Sequence, residues 1–175
     1  MRSRMIIRLL CYYSLYMSKF IEAEALNGVG EFHQLFELPI EAKPIIPSED
    51  RCRLRINLLQ EELDELKDAI RDNDIIAAAD AFSDNQYVLS GAILEFGLGA
   101  KFSRLFEEVQ KSNMSKACET YQEALDSQGW YLKEKNTEST IVERNGKFLL
   151  YRTEDKKALK SIKYYAADFE SIVNS

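Results

Sequence analysis

The sequence predicts an all-α protein, a helical bundle carrying a small C-terminal β-hairpin. Three observations predict this. Gly and Pro are scarce, at 7 and 3 of 175 residues, whereas sandwiches and barrels need many turns. Through the middle of the chain, apolar residues recur at spacings of three and four, the period of a helix with one apolar face. Near the C-terminus, Asn145-Gly146 separates two short β-branched and aromatic runs, a combination that favours a two-residue hairpin turn.

The elements follow in order. Residues 1–16 are basic and apolar, unlike the rest, and Met17-Ser18-Lys19 reads like a second start. Arg8 interrupts the apolar stretch, which is too short to span a bilayer. The expected organisation is therefore a leader outside the fold (1–16), a helical core (17–116), and a C-terminal helix-plus-hairpin extension of the same domain (117–175). Ser18 to Phe36 reads as one helix, distorted at Gly28 and Gly30. Pro39, Pro44 and Pro47 mark a loop, after which Ser48 is a candidate N-cap with Glu49 and Asp50 in the first turn. The helix that follows, to about Asp72, sets Ile56, Leu59, Leu63, Leu66 and Ile70 on one face. Asp74 is a candidate cap for the next helix, which ends near Gly97 or Gly99. Shorter helices are expected over 104–110 and 116–128, then the hairpin, then a last turn or two over 168–173.

Composition narrows the function. Hydrophobic residues at 46% and charged residues at 30% are those of a globular protein. A net charge of −6 argues against a nucleic-acid polymer as partner. Cys11, Cys52 and Cys118 form no CxxC pair and read as free thiols of a reducing, cytoplasmic compartment, with no membrane partner. His33 is the single histidine, which argues against a His-rich zinc site or a Ser/His pair. The chemistry then falls to carboxylates, lysines or a hard metal.

Those carboxylates are grouped. Glu61-Glu62-Leu63-Asp64-Glu65 lies on one helix and Asp80-Ala81-Phe82-Ser83-Asp84 on the next. Glu62 and Glu65 form a stripe with Leu58 and Ala69 beside the apolar face; Asp80, Asp84, Tyr87 and Gly91 share one face of the following helix. A short turn makes the two helices antiparallel neighbours. Carboxylates three or four residues apart sit ~5–6 Å apart at Cβ, so two facing pairs build a dense negative pocket with raised pKa values. A divalent cation relieves this, and Mg2+, with Mn2+ as a substitute, suits oxygen ligands completed by substrate phosphates. Taken alone, the Glu61–Glu65 run reads as a solvated face. Asp80 and Asp84 within an apolar, alanine-rich helix read less readily so, and the pair of clusters together points to a site. A di-iron bundle would need Glu-x-x-His motifs, which the chain lacks.

In this order, EELDE and DAFSDNQYV resemble the all-α NTP pyrophosphatase superfamily, which includes MazG, dimeric dUTPases and phosphoribosyl-ATP pyrophosphatase. Phe32-His33-Gln34-Leu35-Phe36, Ser112-Asn113-Met114-Ser115-Lys116 and an Asp155-Lys156-Lys157-Ala158-Leu159-Lys160 tail extend the likeness to the phosphoribosyl-ATP pyrophosphatase-like branch, over about Phe20 to Val173. The resemblance implies Mg-dependent hydrolysis of a (deoxy)nucleoside triphosphate to monophosphate and pyrophosphate by a homodimer or homotetramer. It implies Glu62, Glu65, Asp80 and Asp84 as metal ligands, and catalytic roles for Glu61, which orients or activates water, and for Glu62. It implies substrate contacts from Asn113 and Lys116, with Lys157 and Lys160 adding to that cluster. Tyr87 either lines the site or packs in the core. His33 either stacks on the base or packs, and Asn113 alternatively caps a helix. The chain departs from the pattern at Ala81, where relatives have Glu, at Asn85, Gln86 and Gln110, and at Lys156, where the tail has Gly. A non-catalytic nucleotide-sensing or interaction module on the same fold is the alternative, and a plain helical adaptor a third reading.

Overall fold

The computed structural model describes residues 20–175; the leader, Cys11 and the start at Met17 lie outside them. Among the described residues the elements are α1 (Ala25–Leu35), α2 (Glu49–Arg71), α3 (Ile75–Glu95), a 3-10 turn (Gly99–Lys101), α4 (Phe102–Met114), α5 (Tyr121–Lys135), β1 (Ser139–Arg144), β2 (Lys147–Arg152) and α6 (Glu170–Val173). The fold is therefore helical with one two-stranded antiparallel sheet. No helix of the described residues is long and apolar enough to cross a membrane.

Local chemistry sets most boundaries. Ser48 Oγ accepts from Arg51 N at 3.4 Å at the start of α2. Asp74 Oδ1 accepts from Ile76 N and Ala77 N at 2.9 and 3.1 Å, satisfying donors that a helix start leaves open. Past the end of α3, Gly97 has a φ of +68°, and a Cβ there would lie 1.9 Å from Lys43 O; only glycine fits. Glu41 N and Ile45 N donate to Leu94 O and Phe96 O, fastening the proline loop to this end of α3.

Three expectations need correction. α1 runs unbroken through Gly28 and Gly30. α4 is longer than 104–110, because the polar run Lys111–Asn113 continues the helix without apolar periodicity. α5 starts at Tyr121, not Lys116, because Thr120 is the residue that caps it, accepting from Glu123 N at 3.1 Å. Asn113 thus sits in the last turn of α4 and caps nothing that follows.

The described residues divide into two compact units: 20–38 with Arg53–Gly91, and Pro39–Cys52 with Ala92–Ser175. In the first, α2 turns inward the stripe of Arg55, Glu62 and Ala69. Arg55 and Ala69 are buried and Glu62 half-buried. The face expected to be inward is only partly so: Leu59 and Leu66 are half-buried, while Leu63 is exposed and Ile56 and Ile70 are each 66% exposed. On α3, Ala78 and Ala81 are buried while Phe82 is 61% exposed.

The second unit closes a core of its own. Cys118, Ala124, Leu150 and Leu159 are buried together, with Tyr131, Ile141 and Phe148 packed around them. Asn145 and Gly146, both at positive φ, turn the hairpin so that Arg144 faces Lys147 and Ser139 faces Arg152. Isolated bridges join Phe148 to Cys118 and Tyr151 to Ala158, protecting the other edge of β2.

Candidate functional site

The carboxylates of the first unit gather on α2 and α3. Asp72 to Asp74 form the whole link between these helices. The Glu62 carboxyl is pushed above its usual range, first by burial and then by the charges of Glu65, Asp84, Glu61 and Asp80. A residue on α2 senses Asp80 and Asp84 only if α3 runs back alongside it. Glu62 Oε2 is hidden from solvent and accepts no hydrogen bond. Two residues on, Asp64 is the opposite case. It is exposed, accepts from Lys67 Nζ at 2.7 Å and Gln60 Nε2 at 2.9 Å, and its carboxyl is held below the usual range by those bonds. Asp64 is therefore the solvated member of the acidic run.

Glu61, Glu65, Asp80 and Asp84 are exposed. Among the described residues no three His, Cys, Asp or Glu side chains are drawn close enough together to hold a metal ion as placed. The donor set nevertheless suits a hard divalent cation. It is all carboxylate oxygen, it repels itself, and it includes one orphaned oxygen at its centre. Exposed Asp and Glu side chains change rotamer freely.

Around this cluster, His33 is 2% exposed and its Nε2 lies 3.1 Å from Arg55 Nη2. The ring is enclosed by protein, the packing alternative. Gly91 makes room for it: a Cβ there would meet Arg55 Nη1 at 2.6 Å and His33 Nε2 at 3.0 Å. Tyr87, one turn beyond Asp84, is 43% exposed and meets Phe32 edge-on with ring centroids 5.8 Å apart. Phe32 in turn lies 4.3 Å from Phe36. In sequence, Tyr87 stands out but Phe32 and Phe36 do not, because a run of apolar and aromatic residues does not show which of its rings stay accessible. Arg55 also went unread, because a charge within a charged helix gives no sign of burial.

The expected basic residues belong to the second unit. Lys116 Nζ donates to Asn113 Oδ1 at 2.7 Å. The Lys160 ammonium lies 3.8 Å from the centre of the Tyr164 ring. Lys157 is in the turn after β2, where its N–H donates to Asp155 Oδ1 at 3.0 Å. At the end of α3, buried Glu95 receives the Arg51 guanidinium, with Nε donating to Oε2 at 3.2 Å; this acid, unlike Glu62, has its counter-charge in place.

With that geometry, the model of the phosphoribosyl-ATP pyrophosphohydrolase family matches residues 29–113. The matched segment, just under half of the chain, is similar to that family. The match contains every carboxylate of the cluster, His33, Tyr87 and Asn113, and stops before Lys116. An uncharacterised protein of Acanthamoeba polyphaga mimivirus is 29% identical over 104 residues, which cover 57% of this chain and 41% of the viral one. The chain thus spans about two fifths of that relative's length.

Proposed function

We propose that the chain hydrolyses a (deoxy)nucleoside triphosphate to a monophosphate and pyrophosphate with a divalent cation, Mg2+ or Mn2+, held by Glu62, Glu65, Asp80 and Asp84. The observation that carries this is Glu62, half-buried, orphaned at one oxygen and surrounded by four other carboxylates, inside a pyrophosphohydrolase-family segment. Folding and solvation alone do not favour such a cluster, since each added negative charge raises its cost. A bound cation would neutralise the cluster, shield phosphoryl oxygens and make water a better nucleophile. Glu61, exposed beside Glu62, is positioned to orient water or take up its proton. Phe32, Phe36 and Tyr87 offer flat, accessible rings one turn from Asp84, suited to the face of a base. The resemblance to the family further assigns phosphate contacts to Asn113 and Lys116, with Lys157 and Lys160 adding positive charge.

The protein also works as a homo-oligomer on this reading. Ile56, Leu63 and Ile70 recur every seven residues along α2, and Ile75, Phe82 and Leu89 do so along α3; all six are at least 40% exposed. Such stripes in adjacent helices suit a second pair of helices from another copy.

Pyrophosphate release is the test, from a panel of nucleoside triphosphates with and without Mg2+, for the natural chain and Glu62→Gln. The expected result is cation-dependent release, lowered at least about 100-fold by the substitution. Nucleotide binding without release from any substrate would replace the enzyme by a sensing module.

A further inference from the structure

The hairpin leaves one edge of its sheet open. Phe148 N donates to Cys118 O at 2.9 Å, Cys118 N to Phe148 O at 2.8 Å, and Leu159 N to Leu150 O at 2.8 Å. The backbone groups of Phe148 and Leu150 therefore point away from β1. Their partners across the ladder, Glu143 and Ile141, then stand in non-hydrogen-bonded pairs, and their own backbone groups point away from β2. Ser139 keeps the same alternation. Two of these outward groups are used: Ser139 O accepts from Gln128 Nε2 at 2.6 Å and Glu143 O from Arg144 Nη1 at 3.0 Å. Both groups of Ile141, and the N–H groups of Ser139 and Glu143, make no bond among the described residues.

Such a row is a template for another strand, and proteins usually blunt it with Lys, Pro, a bulge or a covering element. β1 has no Lys or Pro, and its register runs without a bulge. Its centre, Thr140-Ile141-Val142, is made of residues that favour a sheet. Among the described residues no strand other than β2 pairs with it.

The charges show which strand fits. The ladder continues one residue before β1, with Thr153 N donating to Glu138 O at 2.9 Å. Glu138, at that end, and Arg144, at the other, are exposed and form no ion pair among the described residues. Arg144 instead faces Lys147, a like charge that Glu119 already engages. Laid antiparallel against itself about Ile141, the strand matches its own pattern. Ile141 meets Ile141 and Ser139 meets Glu143, and these residues exchange the free backbone bonds. Thr140 meets Val142 and Glu138 meets Arg144, at the non-hydrogen-bonded positions where side chains lie closest. Ser139 Oγ, hidden from solvent without a hydrogen-bond partner, then lies opposite Glu143 of the second copy.

We propose that β1 pairs with β1 of a second copy, joining two such two-stranded sheets into one continuous antiparallel sheet. A two-fold axis beside Ile141 makes both halves of the contact identical, so the Glu138–Arg144 attraction occurs twice. The contact lies within the hairpin unit and is separate from the α2 and α3 stripes and from catalysis.

The test is sedimentation equilibrium of the full chain carrying Leu63→Arg and Phe82→Arg, which removes association through the stripes. Copies should still pair. Glu138→Arg sets like charges opposite each other twice and should weaken pairing about ten-fold or more, and Arg144→Glu should do the same. The two reversals together restore opposite charges and should return the affinity to within about three-fold. In hydrogen exchange, the Ile141 amide should slow as protein concentration rises and should lose that dependence in Glu138→Arg. A sedimenting mass that neither reversal changes, or a loss that the double reversal does not mend, overturns the proposal. An Ile141 amide protected equally at every concentration overturns it too, because the edge is then covered within one copy.

Discussion

The two units solve the problem of burial in opposite ways. The hairpin unit encloses its apolar side chains, with Leu150 at 1% and Cys118 and Ala124 at 0% exposure, and it pairs its buried acid. Glu123 accepts from Ser161 Oγ and meets Lys163. The carboxylate unit turns charge inward, at Arg55 and Glu62, and leaves apolar stripes outside. A closed core with paired charge is built to stand. An open one with an orphaned carboxylate oxygen at Glu62 is built to receive something, and the two openings differ: an apolar stripe asks for another protein surface, a carboxylate cluster for a cation.

The largest expected effect sharpens that contrast. Leu63→Arg with Phe82→Arg should abolish association of copies through α2 and α3 while leaving far-UV helicity intact, as sedimentation and circular dichroism would show; an unchanged sedimenting mass would mean that the stripes serve something other than a second copy. Leu150→Ala comes next. It should cost about 2–5 kcal/mol in denaturant unfolding, the range for emptying a buried leucine site; a loss below about 1 kcal/mol would mean that the hairpin core is not as closed as its burial implies. Gly91→Ala should cost about 1–3 kcal/mol through overpacking against Arg55 and His33, read as a lower denaturation midpoint.

The smallest effect concerns pH, and its sign differs between the units. The Glu62 carboxyl is raised in the folded chain, so its contribution is most favourable below its unfolded value and is lost as pH rises through the folded one. Glu123 is the reverse. Burial pushes it up, but bonds from Ser161 and Lys163 outweigh this and hold it lowered, so its contribution is present above the unfolded value and is lost as pH falls through the folded one. With added cation withheld, acidification from neutral should therefore weaken hydrogen-exchange protection around Ser127 and Ser161 relative to that around Ala69 and Ala81. Parallel changes in both regions would break the comparison.

Much of this was legible in the sequence wherever a boundary rests on neighbouring residues. Ser48 and Asp74 bound their helices through contacts within a few residues, and Asn145-Gly146 sets its own turn. The acidic cluster was legible for the same reason, since helical spacing places Glu62 beside Glu65 and Asp80 beside Asp84. What periodicity does not carry is the identity of the neighbour. It marks the Ile56–Leu63–Ile70 face as apolar without saying that α1 and α3 take the adjoining stripe instead. Ser112 and Ser115 were not singled out, because only the folding back of the tail onto α4 brings Tyr165 to them. The length of α4 was hidden by a run of polar residues that form helix as readily as apolar ones do.

The tail's grip on α4 has a practical corollary. Similarity to the family ends at Asn113, one residue short of the end of α4, and a fragment trimmed there would look complete by alignment. It would still hold Ser112, 6% exposed, without the Tyr165 carbonyl, and Lys101 without the Ile172 carbonyl it reaches at 3.2 Å. The smallest piece worth expressing is therefore dictated by hydrogen bonds that return from the far end of the chain, and it runs to at least residue 172.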